Sequence, residues 1–473
     1  VRSYTFTDIL NLSRGEIKNE KFFGDFIMIY SLSSFKVINT LDTQNDWNMA
    51  SEIIQSVQRP TIPEKNFFIT DFRAVNDGVT DARPAIIKAI DAASNNGGGR
   101  VVIPVGDWYC KGPIYLKSNI ELHAAEGAHL LFSPYAKDYL PVVLTKYEGT
   151  RLYNYSPLIY ARNVHDVAIT GKGVIDGNKD SEFLSFIDKH DSDVALLRQM
   201  GAEGIPVEKR IFGEGRFLRP CMIQFYDAER VLLKDYTVVN SPFWVNHLNY
   251  TNHAIVSGIN VDTHNANNDG IDIESSSYVV VEKSKFQTGD DSVVVKSGRD
   301  YDGRQVGIPS ENIVVFRNNM GGEDGVALGS EMSGGIRNVF FTDNILRNGT
   351  SAFRFKSNLD RGGMVENIRV RNMEIDTFER LFWFQMNYPG ELGGYYPSIY
   401  KNIVFENITV KNVETVFESH APKGFPLQDV VLKNIIIKNV ESDNPIILEN
   451  VKNICFENVK LNDQYINATI DWY

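Results

Sequence analysis

ENIVVFRNNM (residues 311–320) is one statement of a phrase that runs through most of this chain. It opens on a polar residue, often followed by Asn, and alternates apolar positions. It then breaks at a polar residue and begins a second alternating run. RNVFFTDNIL (337–346), ENIRVRNMEI (366–375), KNIVFENITV (401–410), QDVVLKNIII (428–437) and KNICFENVKL (452–461) restate it downstream. HDVAITGKGVI (165–175), ERVLLKDYTV (229–238), NHAIVSGINV (252–261) and SYVVVEKSKF (277–286) do so upstream. A period of two, in runs too short for helices, reads as strand. Recurrence at intervals of roughly 23 to 35 residues, with strands and no helices between, predicts a β-solenoid. The alternation places Val, Ile and Phe inside the coil and every second side chain outside. The recurrent Asn fits a bend with left-handed backbone geometry, or a ladder of stacked amides, and is read as structural.

Upstream of the repeats, Asp81 is placed to cap a helix whose apolar stripe is Ile86, Ile87, Ile90 and Ala93. Asn95 to Gly99 ends that helix and Val101 to Pro104 is the next strand. Such a helix closes the open end of a stacked sheet, as capping units do in solenoids. Another helix-like segment runs from Trp47 to Val57. Residues 1–48 are assigned to an N-terminal extension and 49–473 to one β-helical domain. The apolar run Phe26–Phe35 reads as an imperfect export signal or part of an extension with a misplaced start, and it is too short to span a bilayer. From about Gly177 to Phe217 the chain is charged and partly helical (FLSFIDKHDSDVALLRQM). An insertion of this length is either part of a binding face or solvated decoration.

At 473 residues and 43% hydrophobic content, the chain has material for a large core. The net charge of −12 argues against nucleic acid and anionic membrane surfaces, though a local basic patch leaves room for an acidic polysaccharide. Cys110, Cys221 and Cys455 are scattered and form neither a metal spacing nor a disulfide framework. No HxxxH or HxH pair occurs among the eight histidines, so no transition-metal site is expected.

Chemistry concentrates in NNDGIDIESSSYVVVEKSKFQTGDDSVVVK (267–296). Each of its turns, Asn267-Asn268-Asp269-Gly270 and Gly289-Asp290-Asp291, is alone an ordinary turn sequence. They lie one repeat apart, however, and neighbouring rungs of a stack are roughly 4.8 Å apart. That spacing gathers Asp269, Asp290 and Asp291 on one patch. Three acids so close cannot all ionise cheaply, so at least one pKa is expected to rise, as glycosidic hydrolysis requires of its acid. Two later clusters join them: the glycine-rich Gly321–Ser330 and the strand Phe353-Arg354-Phe355-Lys356. Arg354 and Lys356 share a strand face and suit a carboxylate on an acidic sugar, although an isolated RxK is more often a solvated pair.

The ordered series Asn267-Asn268-Asp269, Gly289-Asp290-Asp291, Glu323-Asp324-Gly325 with Leu328-Gly329-Ser330, and Arg354-Phe355-Lys356 resembles the polygalacturonase family, glycoside hydrolase family 28. The family pattern is NTD, GDD, GHG with IGS, then RIK. YNYSPLIYA (153–161), NSPFW (240–244), KSGRDYDGR (296–304) and GSEMSGG (329–335) look like its bacterial exo-acting members, and the resemblance covers roughly residues 66 to 460. It implies an all-β, single-stranded right-handed parallel β-helix (a pectin-lyase-like solenoid) with an N-terminal capping helix. It also implies inverting hydrolysis of α-galacturonosyl linkages in pectic polysaccharide or oligogalacturonide, from chain ends, by a periplasmic or secreted monomer with no cofactor and no metal. Asp290 would be the general acid, Asp269 and Asp291 the bases, and Arg354 and Lys356 the binders of the substrate carboxylate. Lys296, Arg299 and His247 are further candidates for the cleft. Glu323 or Asp324 stands where the family has His. A carboxylate there should raise the neighbouring aspartate pKa values and disfavour an anionic sugar, unless a cation compensates.

Two other readings fit the same residues. The acids Asp269, Asp290, Asp291, Glu323 and Asp324 suit a calcium site in a pectic polysaccharide lyase, with Arg354 or Lys356 abstracting the proton. A glycan-binding β-helix without turnover would keep the shape alone.

Overall fold

The computed structural model describes residues 27–30 and 43–472, and most of the segment assigned to an N-terminal extension lies outside them. The chain winds into a parallel β-helix, as the alternation predicts. The ten repeat phrases stack one upon another. His165 pairs with Glu229, Glu229 with Asn252, Asn252 with Ser277 and Ser277 with Glu311. The same line continues through Arg337, Glu366, Lys401, Gln428 and Lys452. All these ladders are parallel. Register is set by the buried alternate positions, because a one-residue slip would turn Val, Ile and Phe outward.

Both roles expected of the asparagines occur together. Asn312, Asn338, Asn367, Asn402 and Asn453 have φ between +54° and +57°. Asn338 Nδ2 donates to Asn312 Oδ1 at 3.0 Å and Asn367 Nδ2 to Asn338 Oδ1 at 2.7 Å. An amide satisfies its neighbour in the next coil while its short side chain tolerates the left-handed bend.

Inside the coil the aromatic rings also stack. Phe355 lies 4.3 Å from Phe384 and nearly parallel to it, and Phe405 packs 4.1 Å from Phe382 and 5.6 Å from Phe353. All are excluded from solvent.

The helix Arg83–Asn95 covers the N-terminal end, with Asp81 Oδ1 accepting the Arg83 N–H at 3.0 Å. Its buried stripe is Ala85, Ile86, Ala89, Ile90 and Ala93. Ile87, expected in that stripe, is only half-buried, one position off the face. At the other end the strand Gln464–Trp472 runs antiparallel to Val451–Leu461, and Ile27–Tyr30 pairs antiparallel with it. The helix Thr43–Ser56 lies on the flank, where Trp47, Ala50 and Ile53 pack against Val314 and Phe340. Asp46 there holds Arg369 at 2.6 Å.

Two additions cover one outer face of the coil. The hairpin Val143–Tyr147 and Thr150–Asn154 forms a small second sheet with Ile211–Phe212. The insertion folds into the turns Glu182–Asp188 and Val207–Lys209 and the helix Asp191–Ala202. Among the described residues no helix is long and apolar enough to cross a membrane.

Candidate active site

The motif turns lie on successive coils, as their spacing predicts. Gly270 N–H donates to the Asp291 carbonyl and Ser292 N–H to that of Asp324, each at 2.9 Å. Glycine is needed where these turns touch. A Cβ on Gly270 would lie 2.5 Å from the Ser292 carbonyl oxygen, and one on Gly322 would lie 2.5 Å from that of Asp290. Asn268 braces the first turn from inside by donating to the Ser241 and Phe243 carbonyls.

Asp269, Asp290 and Asp291 line one pocket together with Lys296, Arg299, Lys356, Trp244 and Tyr388. Asp269 and Asp291 are buried, whereas Asp290 is half-buried and faces the opening. Asp290 Oδ1 accepts the Asp291 N–H at 2.9 Å, and Asn267 Nδ2 reaches its Oδ2 at 3.4 Å. Burial, then Asp272 and Asp290, push the Asp269 pKa well above the usual carboxylate range. Burial again, then Asp290 and Asp324 against the opposing Lys356, push Asp291 up. The rise falls on Asp269 and Asp291, the residues assigned as bases, and desolvation leads it rather than mutual repulsion.

Cations thread the acids together. Lys356 Nζ contacts both Asp291 oxygens at 2.9 Å and Asp324 Oδ2 at 3.2 Å. Burial would lower this ammonium's pKa, but Asp291 and Asp324 hold it up. Lys296 Nζ lies 3.1 Å from Glu331, 3.8 Å from Asp269 and 3.9 Å from Asp272, with the Trp244 ring 4.7 Å away.

At the position where the family has His, the compensating cations are present. Asp324 is fully buried, accepts from the Ser351 hydroxyl, and lies 3.0 Å from Arg354 Nη1. Burial alone would raise its pKa, yet Lys356 and Arg354 bring it down to about 2. The Glu323 side chain is about half exposed and 4.0 Å from Arg354, and partial desolvation of its carboxyl followed by Asp290 raises its pKa. Arg354 therefore serves Asp324, the Gln385 amide oxygen at 2.8 Å and the Trp383 ring at 4.1 Å.

Charged side chains wall part of the pocket. Arg198, from the inserted helix Asp191–Ala202, contacts Glu148 at 2.8 Å. Arg299 Nη1 lies 3.4 Å from that same Glu148 and 3.1 Å from Glu331. Burial and the nearby Arg361 pull the Arg299 pKa down to about 10. Gly390 passes over both guanidinium groups.

Six of the ten site residues expected from sequence, Asp269, Asp290, Asp291, Lys296, Arg299 and Lys356, line this pocket, while Asp324 borders it through Lys356, and Arg354 and Glu323 lie beside Asp324. The exception in kind is His247, which the resemblance placed in the cleft. It is fully buried behind Trp244, with Nε2 2.8 Å from Glu274 and Nδ1 2.9 Å from Gln224. Alternation puts it on the outer face, but the hairpin covers that face: Thr145 donates to Gln224, and Lys146 Nζ lies 3.0 Å from Glu274. Sequence reasoning missed Asp272, Glu331, Glu148 and Arg198. Asp272 lay within the quoted stretch, three residues after Asp269. Arg198 came from the insertion, whose binding-face reading its position favours.

The glycosyl hydrolases family 28 model matches residues 213–456, and the model for rhamnogalacturonase A/epimerase, pectate lyase-like, matches residues 67–127. A probable polygalacturonase of Vitis vinifera is 30% identical over 364 residues, covering 72% of this chain and 69% of that protein. An exo-poly-alpha-D-galacturonosidase of Dickeya chrysanthemi is 28% identical, covering 70% of this chain and 57% of that protein. The solved structure of a hyperthermoactive exopolygalacturonase from Thermotoga maritima superposes with a TM-score of 0.85 at 37% identity, over 90% of this chain and 98% of that one. Its coils, its stacked motif turns and these relatives agree: the chain is a glycoside hydrolase and belongs to glycosyl hydrolases family 28.

Proposed function

We propose that this hydrolase removes terminal galacturonate from α-linked galacturonan with inversion at the anomeric carbon. The observation that carries the exo mode is the wall of Arg198, Glu148 and Arg299 across one end of the carboxylate pocket. A polymer chain cannot thread past it, so an end must enter. The names of the Dickeya and Thermotoga relatives support the same mode.

Asp290, the most open of the three acids, protonates the leaving glycosidic oxygen as that bond breaks. Asp269 and Asp291 take the proton of the water whose oxygen bonds to the anomeric carbon, on the face opposite the leaving group. Arg354, Lys356, Lys296 and Arg299 supply the positive field for an anionic sugar in a chain whose net charge is −12. Asp324 and Glu323 tune it. We propose that it works on its polymeric substrate in the periplasm or outside the cell, and that it acts as a monomer.

Product analysis on oligogalacturonides tests this reading. Saturated monomer of inverted configuration, formed with or without chelator and lost in Asp290→Asn, is expected. Unsaturated, chelator-sensitive product would instead favour the calcium-dependent lyase. Binding without turnover would favour the glycan-binding β-helix.

A further inference from the structure

The cations expected to hold a sugar carboxylate are already engaged. An ammonium has three donors, and those of Lys356 meet both Asp291 oxygens at 2.9 Å and Asp324 at 3.2 Å. Lys296 Nζ donates to Glu331 at 3.1 Å and to the Gly329 carbonyl at 3.3 Å, with Asp269 3.8 Å away. Arg354 is tied to Asp324 and Gln385 and does not line the pocket.

The guanidiniums of the wall differ. The Arg299 side chain is only 3% exposed, and its Nη1 donates to Glu148 at 3.4 Å and Glu331 at 3.1 Å. Neither its Nε nor its Nη2 has a hydrogen-bond acceptor among the described residues. Asp300 lies 3.5 Å from that Nε but accepts from Arg361 instead. Arg198 donates from Nη2 to Glu148 at 2.8 Å, and its buried Nε has no acceptor. The two groups also converge. A Cβ built on Gly390 would stand 3.4 Å from Arg198 Nη1 and 3.5 Å from Arg299 Nη2, and glycine leaves that point clear. Glu148 and Glu331 are the nearest carboxylates of three cations, Arg198, Arg299 and Lys296, so the wall lacks a negative charge.

We propose that Arg198 and Arg299 receive the carboxylate of the terminal galacturonate, while Arg354 and Lys356 hold the protein's own acids. Glu331 bridges Lys296 and Arg299 at 3.1 Å each, so the guanidiniums stand about one ion pair's breadth from Asp269. The ring of the released sugar spans that gap, with its anomeric carbon toward the acids. A neutral sugar would leave these donors unpaired in a desolvated wall, and the site rejects it on that account.

The inference rests on the exo-hydrolase reading, and the experiment separates the two. Trigalacturonide is compared with the same trimer methyl-esterified on its non-reducing terminal residue, for wild type, Arg198→Gln, Arg299→Gln and Arg354→Gln, with thermal melts to confirm folding. Wild type should favour the free acid in kcat/KM. Arg198→Gln and Arg299→Gln should each lower kcat/KM on the acid about tenfold and leave the ester little changed. Arg354→Gln, which acts through Asp324, should lower both substrates alike. If acid and ester fall together in the two wall variants, those guanidiniums only shape the wall and the inference fails. It fails too if wild type shows no preference, or if only Arg354→Gln removes it. Should Arg299→Gln not fold, Arg198→Gln decides by the same ratio, since its side chain is partly exposed on an inserted helix. If wild type hydrolyses neither trimer, the hydrolase reading falls, and calorimetric titration with galacturonate and galactose decides the inference. Galacturonate binding weakened in Arg198→Gln would support it, and galactose binding as tightly as galacturonate would overturn it.

Discussion

Arg354 Nη1 sits 3.0 Å from Asp324 Oδ2, so a guanidinium expected to grip the substrate already grips the protein. Asp324 thus acts as an internal stand-in for a sugar carboxylate.

Asp324→Asn should weaken folding and strengthen substrate binding. The folded pKa of Asp324 is depressed from 3.8 to about 2. Its stabilisation is therefore complete above its unfolded value, near pH 4, and is lost as pH falls toward 2. The variant should lose about 2 kcal/mol at neutral pH and converge with wild type only as pH falls to about 2 and below. KM for oligogalacturonide should fall as Arg354 and Lys356 are released. Urea midpoints against pH and initial rates check both, and a KM unchanged in a folded variant would count against the stand-in role.

Arg198→Ala opens the walled end and removes a charge from it. KM should rise about tenfold, the equivalent of one lost charge-assisted contact, with a smaller change in kcat. Products should broaden from monomer to short oligomers. Chromatography of early digests decides, and a monomer-only pattern at unchanged KM would remove the wall from the account.

Much of this was legible because the coil repeats local information. Asn312 and Asn338 carry φ of +57° and +54°, so one residue type at one phase marks each bend. Asp269, Asp290 and Asp291 follow from the same period. What stayed hidden was what covers the coil. Alternation assigns His247 and Asp272 to the outer face, register neighbours on adjacent strands, and it carries no sign that Lys146 and Thr145 of a distant hairpin bury that face. Glu148 and Arg198 meet across 50 residues through a hairpin turn and an inserted helix, which no periodicity connects.

His420 should make stability fall on the alkaline side. Its Nε2 lies 2.8 Å from Glu418 and its Nδ1 2.9 Å from Glu449, and these carboxylates, Glu418 first, raise its pKa to about 9. The raised value contributes stability that is full below the unfolded pKa of about 6.5 and is lost as pH rises through 9. His420→Gln should flatten that decline, which melting temperatures across this window will show. Parallel curves for variant and wild type would argue against the pairing.

Phe405→Ala should cost about 3–5 kcal/mol, the usual range for a buried Phe truncated to Ala. The ring is fully buried among Phe353, Phe355 and Phe382 and has little room to collapse. The urea midpoint measures it, and a loss under 1 kcal/mol would mean the stack closes over the gap.

The last residue to line the pocket is Tyr388, while the ladder continues from Ile399 to Trp472. In such a stack each coil leans mainly on its two neighbours, so opening can begin at one end and advance coil by coil. The strand Gln464–Trp472 and the coils before it then serve as sacrificial length. Breakage from the C-terminal end must consume them before it reaches Tyr388 and the carboxylates behind it.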